Sequence, residues 1–178
     1  MSKTSTKPKK RYRKARKIPG APWVEVRQSQ VHGRGVFAIR DIPKDTLIIE
    51  YTGRRISAEE ADAMWPVDPD DPYHTFFFSL SSGETIDGGT KGNAAKWINH
   101  SCEPNCEARE GKNGYRVYIY SLRDMKQGEE LSFDYGLIID DELTETLKSH
   151  YRCCCGSKQC RGTMLNLASF EEGAEDAE

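Results

Sequence analysis

All six cysteines lie beyond residue 100, at Cys102, Cys106, Cys153, Cys154, Cys155 and Cys160, and this placement restricts the fold more than any other feature. An even count permits disulfides, yet three consecutive cysteines make poor bridge partners. The N-terminus carries charge without the apolar stretch of an export signal, which points to an intracellular, reducing compartment. Metal ligation explains the spacing better. Cys153-x-Cys155-x4-Cys160, interrupted by Gly156, offers three thiolates on one tight turn. A structural zinc takes four ligands in a tetrahedron, so one must come from elsewhere in the chain. Cys102 or Cys106 can supply it, and either choice folds the C-terminal turn back onto the middle of the sequence.

Charge divides the chain into regions. The formal net charge of the 178 residues is −2, but residues 1–17 hold nine Lys/Arg and no acid, whereas residues 171–178 hold five acids and no base. The rest is acidic, with a net charge of −6. Such a chain reads as an acidic globular body with a basic arm before it and an acidic tail after it. No apolar run approaches the ~18–20 residues needed to cross a membrane. The arm, residues 3–17, has the charge density for phosphate contacts with nucleic acid or for a localisation signal. Acidic loops at Asp68-Asp70-Asp71 and Asp140-Asp141-Glu142 suit a lysine-rich partner.

Residues 1–22 read as a disordered basic arm ending at Pro19-Gly20-Ala21-Pro22. Alternation predicts strands over Trp23–Arg27, Val36–Ala38, Leu47–Tyr51, Phe76–Leu80, Glu84–Ile86, Tyr115–Leu122 and Glu130–Tyr135. His32-Gly33-Arg34-Gly35 reads as a turn. Ser57-Ala58-Glu59-Glu60 fits a capping box opening a helix from Ala58 to about Trp65. Pro66, Pro69 and Pro72 then impose a loop, and Asp140–Leu147 reads as one or two helical turns. Many short strands with few helices make a mainly β, α+β domain.

Five segments, in order, carry a family resemblance: His32-Gly33-Arg34-Gly35-Val36-Phe37, Glu50-Tyr51-Thr52-Gly53, the run Gly92–Cys106 containing Asn99-His100-Ser101-Cys102, Gly128–Gly136 containing Phe133-Asp134-Tyr135, and the terminal cysteine turn. Together they resemble the SET-domain protein-lysine methyltransferases with a post-SET zinc motif. The resemblance implies a SET domain over residues 23–138, a post-SET zinc segment over 139–167 and an acidic tail over 168–178. It also implies a fold of several small twisted sheets with a knot-like crossing, where Asn99–Cys106 lies against Phe133-Asp134-Tyr135.

By the same resemblance the reaction is methyl transfer from S-adenosylmethionine to a lysine of a basic protein, such as a histone or DNA-packaging protein. Tyr135 takes the place of the catalytic tyrosine. Phe133 stands at the family's Phe/Tyr switch, where phenylalanine implies capacity for di- or trimethylation. Cofactor contacts fall to His32, Gly33, Arg34, Gly35, Asn99, His100 and Cys154. One zinc falls to Cys102, Cys153, Cys155 and Cys160, and Cys106 is left as a small buried residue. Phe76 departs from the pattern, because many members carry there a second tyrosine of the lysine channel that also lies near the cofactor; Tyr73 is a nearby substitute. That departure is the feature favouring the alternative, a catalytically silent SET module binding chromatin or nucleic acid through its arm. The implied location is nuclear in a eukaryote, and cytoplasm or nucleoid in a prokaryote.

Overall fold

The computed structural model describes residues 16–17, 22–64 and 73–170. The expectations for the rest of the basic arm, the loop with Asp68, Asp70 and Asp71, and the tail over 171–178 lie outside these residues. In chain order the elements are β1 (Arg16–Lys17), β2 (Val24–Gln28), β3 (Arg34–Ala38), β4 (Leu47–Tyr51), β5 (Arg54–Ser57) and α1 (Ala58–Ala63). β6 (Phe77–Ser79), β7 (Glu84–Asp87), a 3-10 turn (Ala94–Trp97), β8 (Asn99–His100), β9 (Cys106–Glu110), β10 (Val117–Ser121), β11 (Ser132–Phe133) and α2 (Glu145–His150) follow.

Each sheet is small. β2 and β3 form a hairpin in which Val24 faces Ala38 and Val26 faces Val36. Its turn is closed by Ser29 N donating to Gly33 O at 3.0 Å, with Gly33 at φ +44°, a conformation that favours a residue without Cβ. β1 pairs antiparallel with the outer edge of β2, Arg16 opposite Val26. This corrects the reading of residues 1–22 as entirely outside the fold: an open strand edge presents unpaired N–H and C=O groups that recruit passing backbone. A second sheet has the order β4-β10-β9 and a third β5-β7-β6. The core lies where these sheets meet, and Val36, Ile42, Ile98, Ile119 and Leu131 are essentially inaccessible to solvent.

The expected crossing is the fourth sheet, a parallel pair with Asn99 opposite Ser132 and His100 opposite Phe133. Asn105 stitches it shut. Its Nδ2 donates to Glu130 O at 2.8 Å and its Oδ1 accepts from Ser132 N at 2.8 Å. Asn105 is buried, so this pair of bonds satisfies polar groups that water cannot reach.

Several bounds differ from expectation. The strand predicted over Glu130–Tyr135 contracts to Ser132–Phe133: Glu130 and Leu131 pair with β3 instead, Glu130 bridging Phe37 and Leu131 N donating to Val36 O at 2.7 Å, while Tyr135 N donates to the His100 side chain. α1 stops at Ala63, with Ser57 Oγ accepting from Glu60 N as the capping pattern requires. The second helix runs over Glu145–His150 rather than 140–147, because Thr144 supplies the N-cap by accepting from Leu147 N at 3.0 Å. β5 and β9, with sequences RRIS and CEARE, lack the apolar alternation that marks a strand.

Candidate functional site

Three features converge on the β8–β11 crossing. The first is the loop leading into β3. Asn99 Nδ2 donates to Arg34 O at 3.0 Å, His32 O at 3.3 Å and Glu130 Oε1 at 2.8 Å, so one carboxamide holds the His32–Gly35 loop against the crossing. Around it runs a circuit of rings. His32 meets His74 at 5.0 Å, His74 meets Phe76 at 5.1 Å, and Phe76 meets Trp97 at 5.0 Å. The Arg34 guanidinium lies over Trp97, 4.8 Å from its centroid, and Lys96 lies over both Phe76 and Trp97 at 5.1 Å. His32, Gly33 and Arg34 are exposed, and nothing lies within 4 Å of where a Gly33 Cβ would stand. An open loop of backbone groups beside a cation and an amide fits a zwitterionic ligand such as S-adenosylmethionine.

His100 turns its side chain into the protein. It is buried, its Nδ1 accepts from Tyr135 N at 3.1 Å, and its Nε2 lies 3.4 Å from Cys102 Sγ. Burial lowers its pKa to about 4, against the pull of Asp134 and with the help of Arg161. The ring is therefore neutral with its proton on Nε2, and its 3.5 Å approach to Asp134 is not an ion pair at neutral pH. Both ring nitrogens serve the protein, which leaves the backbone of His100 for a ligand.

The second feature is a cavity of about 310 Å³ lined by Phe78, Pro104, Cys106, Glu107, Ala108, Leu122, Phe133, Asp134 and Tyr135, near the lower end for ligand pockets. Phe133 and Tyr135 pack at 4.9 Å and Phe78 lies 6.4 Å from Phe133. The Tyr135 hydroxyl donates to Ile98 O at 2.8 Å, leaving its oxygen lone pairs to accept. Burial raises the Tyr135 phenol well above its usual value, and the charge of Glu130 adds to this. Tyr51 points its hydroxyl at Phe76 O, 2.8 Å away. Phe76 itself faces the ring circuit and does not line the cavity. Tyr73 stacks on His150 at 4.1 Å and edges onto Tyr151 at 5.4 Å, which directs it toward the C-terminal segment.

The third feature is the thiol cluster. The Sγ atoms of Cys102, Cys153, Cys155 and Cys160 all lie within 4.8 Å of one another, and Cys102 and Cys153 are 3.8 Å apart. A tetrahedron with ~2.3 Å metal–sulfur bonds has edges of about 3.8 Å, so the four residues fit zinc. Backbone N–H groups of Cys155 and Gly162 point at Cys153 and Cys160 Sγ, each at 3.4 Å. Burial pushes Cys153 up. In Cys155 burial is outweighed by the Cys102 backbone and by Ser157, which draw it down to about 5. A bound ion would deprotonate all four. Arg161 then forks onto Asp134 at 2.7 and 2.6 Å, fastening the cysteine turn to the residue between Phe133 and Tyr135. Cys106 is fully buried, with its thiol pushed up to about 12 by desolvation. Cys154 is exposed beside the cluster, outside the ring circuit.

Sequence reasoning gave no individual role to Trp97 and Asn105, which lie in the run Gly92–Cys106, to Glu130 in the run Gly128–Gly136, or to Arg161, which follows Cys160.

Comparison with known proteins matches residues 33–136 to the SET domain family. Among curated relatives, the histone-lysine N-methyltransferase trithorax of Drosophila virilis is 35% identical over 141 residues, 78% of this chain and 4% of its own. An H3 lysine-4 specific histone-lysine N-methyltransferase of Chaetomium globosum is 35% identical over 159 residues, 85% of this chain and 14% of its own. Histone-lysine N-methyltransferase 2B of Homo sapiens is 36% identical over 142 residues, 78% of this chain and 5% of its own. The chain thus spans between 4% and 14% of the length of these three relatives.

Proposed function

The chain belongs to the SET-domain family, and from that premise we propose that it is a protein-lysine N-methyltransferase using S-adenosylmethionine, with a lysine of a histone or histone-like basic protein as substrate. The observation that carries this reading is Tyr135: it lines the aromatic cavity, and its hydroxyl proton is committed to the carbonyl of Ile98, the residue before Asn99. Bound S-adenosylmethionine supplies the methyl group on a positively charged sulfur. His32, Gly33, Arg34, Gly35 and Asn99 would hold it, with His100 contributing through its backbone and Phe76 through its ring.

The chain's own work is orientation and desolvation. Phe78, Phe133 and Tyr135 give the cavity an apolar wall, which disfavours the ammonium form of an entering lysine and so frees its lone pair. The Tyr135 oxygen accepts from the amine N–H and fixes the direction of that lone pair. Alignment of this kind is worth several kcal/mol of barrier. Zinc on Cys102, Cys153, Cys155 and Cys160 would hold the C-terminal turn against the site. Four thiolates leave no open coordination position, which makes the role structural. Residues 23–138 and 139–167 serve as catalytic domain and zinc segment in this reading, the basic arm (3–17) is assigned to nucleic acid, and the location is with the basic substrate.

Labelled S-adenosylmethionine with a panel of histones and bacterial DNA-packaging proteins tests the activity, and transfer to at least one is expected. Phe76 lacks a hydroxyl, which favours the second reading of a silent module. No transfer to any substrate, alongside tight DNA binding, would select it. Phe133 leaves room for more than one methyl group, so wild type should yield di- or trimethyl-lysine by mass spectrometry. Phe133→Tyr should shift the product toward monomethyl-lysine; an unchanged distribution would remove the switch role.

A further inference from the structure

Glu130 lies at the centre of the cofactor loop, yet no step above uses it. Its Oε1 accepts from Ser29 Oγ at 2.7 Å and Asn99 Nδ2 at 2.8 Å, and its Oε2 from Ser29 Oγ at 2.9 Å. The carboxylate rests on the Gly35 α-carbon so closely that a Cβ there would stand 2.2 Å from Oε1. Its hydrogen-bond partners are a hydroxyl and an amide, both neutral, and no arginine or lysine forms an ion pair with it among the described residues. Its field also reaches across the crossing to the Tyr135 phenol. One uncompensated negative charge is therefore held behind Gly35 and Asn99, in partly buried surroundings where screening is weaker than in water.

We infer that Glu130 is a positioning residue that also sets the charge of the cofactor pocket, selecting the sulfonium donor over its neutral product. This rests on the proposed methyltransferase function. On turnover the sulfur–methyl bond breaks with its electron pair left on sulfur, and a carbon–nitrogen bond forms to the amine. The pocket's occupant thereby loses its positive charge while keeping nearly the same shape. A fixed anion distinguishes the two species, whereas neutral hydrogen-bonding groups barely would. Charge selection of this kind favours loading of fresh donor and release of spent product.

Calorimetric titration of the full, zinc-loaded chain tests it, with three probes: S-adenosylmethionine, S-adenosylhomocysteine, and sinefungin, in which a carbon replaces the sulfur and carries an amine in place of the methyl group. Wild type should bind the two cationic probes more tightly than the thioether. Glu130→Gln keeps the shape and removes the charge. It should weaken both cationic probes at least about fivefold and S-adenosylhomocysteine less than about twofold. Glu130→Asp keeps the charge and should preserve the preference even if all three probes bind more weakly. Equal losses for all three in Glu130→Gln, or no loss, would overturn the inference in favour of a purely structural carboxylate. Should Glu130→Gln fail to fold, wild type and Glu130→Asp decide: a wild type binding S-adenosylhomocysteine as tightly as the cationic probes refutes it. A wild type binding none of the three overturns the methyltransferase reading itself, a distinct result.

Discussion

Tyr135 concentrates most of the chemistry in one side chain, and its environment dictates what it can do. Burial, then Glu130, keep the phenol protonated far above its ordinary range. A raised phenol pKa extends the neutral form upward in pH, so Tyr135 does not act as a base near neutrality. The group that titrates is the substrate amine, with a reference pKa of ~10.4. The rate with a lysine peptide should accordingly climb from pH 7 toward pH 9. Tyr135→Phe should lower the whole curve by roughly a hundredfold, the usual cost of losing a preorganised polar group, without moving it along the pH axis. A shifted curve in the variant would mean that Tyr135 itself titrates. Tyr135, Phe133 and Asn99 stood out in the sequence because each lies in a run of family motifs. Glu130 lies in such a run as well, but its role was not legible there, because its partners Ser29 and Asn99 lie 101 and 31 residues away.

Between elements, close packing leaves room for some side chains and excludes others. Gly53, just before β5, has the Asp87 backbone against it, and an added Cβ would lie 2.2 Å from Asp87 O and 2.6 Å from its carbonyl carbon. Neither chain can yield there without disturbing the β5–β7 pairing of Arg54 with Asp87. Overpacking of this kind costs about 1–3 kcal/mol, so Gly53→Ala should lower Tm by roughly 5–10 °C in differential scanning fluorimetry. Gly35→Ala meets the same 2.2 Å distance, but against the end of the Glu130 side chain, which can swing away. That variant should melt closer to wild type while binding S-adenosylmethionine more weakly. If Gly35→Ala proved the less stable of the two, Glu130 would be more rigidly held than its hydrogen bonds imply. Elements with local signals were legible: the β2–β3 hairpin through its Val alternation and glycine turn, and α1 through Ser57. β5 and β9 were not, because polar strands acquire their identity from their neighbours. α2 shifted because the acids at 140–142 imitate a helix start, whereas the oxygen that caps the helix belongs to Thr144.

At the level of the molecule, the cysteine turn and the crossing form one assembly joined by Cys102, the Arg161–Asp134 fork and the Tyr73–His150 stack. Removing the metal should loosen that assembly first. With a strong chelator, thiols reactive toward an aromatic disulfide reagent should rise from one to five: exposed Cys154, plus Cys102, Cys153, Cys155 and Cys160. Cys106, with 0% exposure, should stay protected while the sheets keep their circular dichroism. Activity should fall with the metal and return with added zinc. Labelling of Cys106 as well would mean that the core depends on the ion. The sequence carried the cluster as a spacing. The crossing of β8 with β11 was legible only through the family resemblance, since two residues on each side, more than thirty positions apart, leave no periodic trace.

That parallel pairing also has a consequence for synthesis, because a ribosome delivers the chain in one direction. The His32–Gly35 loop, β8 and most of the core strands emerge early, but β11, Tyr135 and the cysteine turn come last. No nascent chain ending before residue 131 can form the crossing, whatever cofactor surrounds it. The early strands must therefore wait with Asn99 and the half-formed cavity open to solvent. Under the methyltransferase reading, methylation competence should therefore require translation through Tyr135 and the cysteine turn.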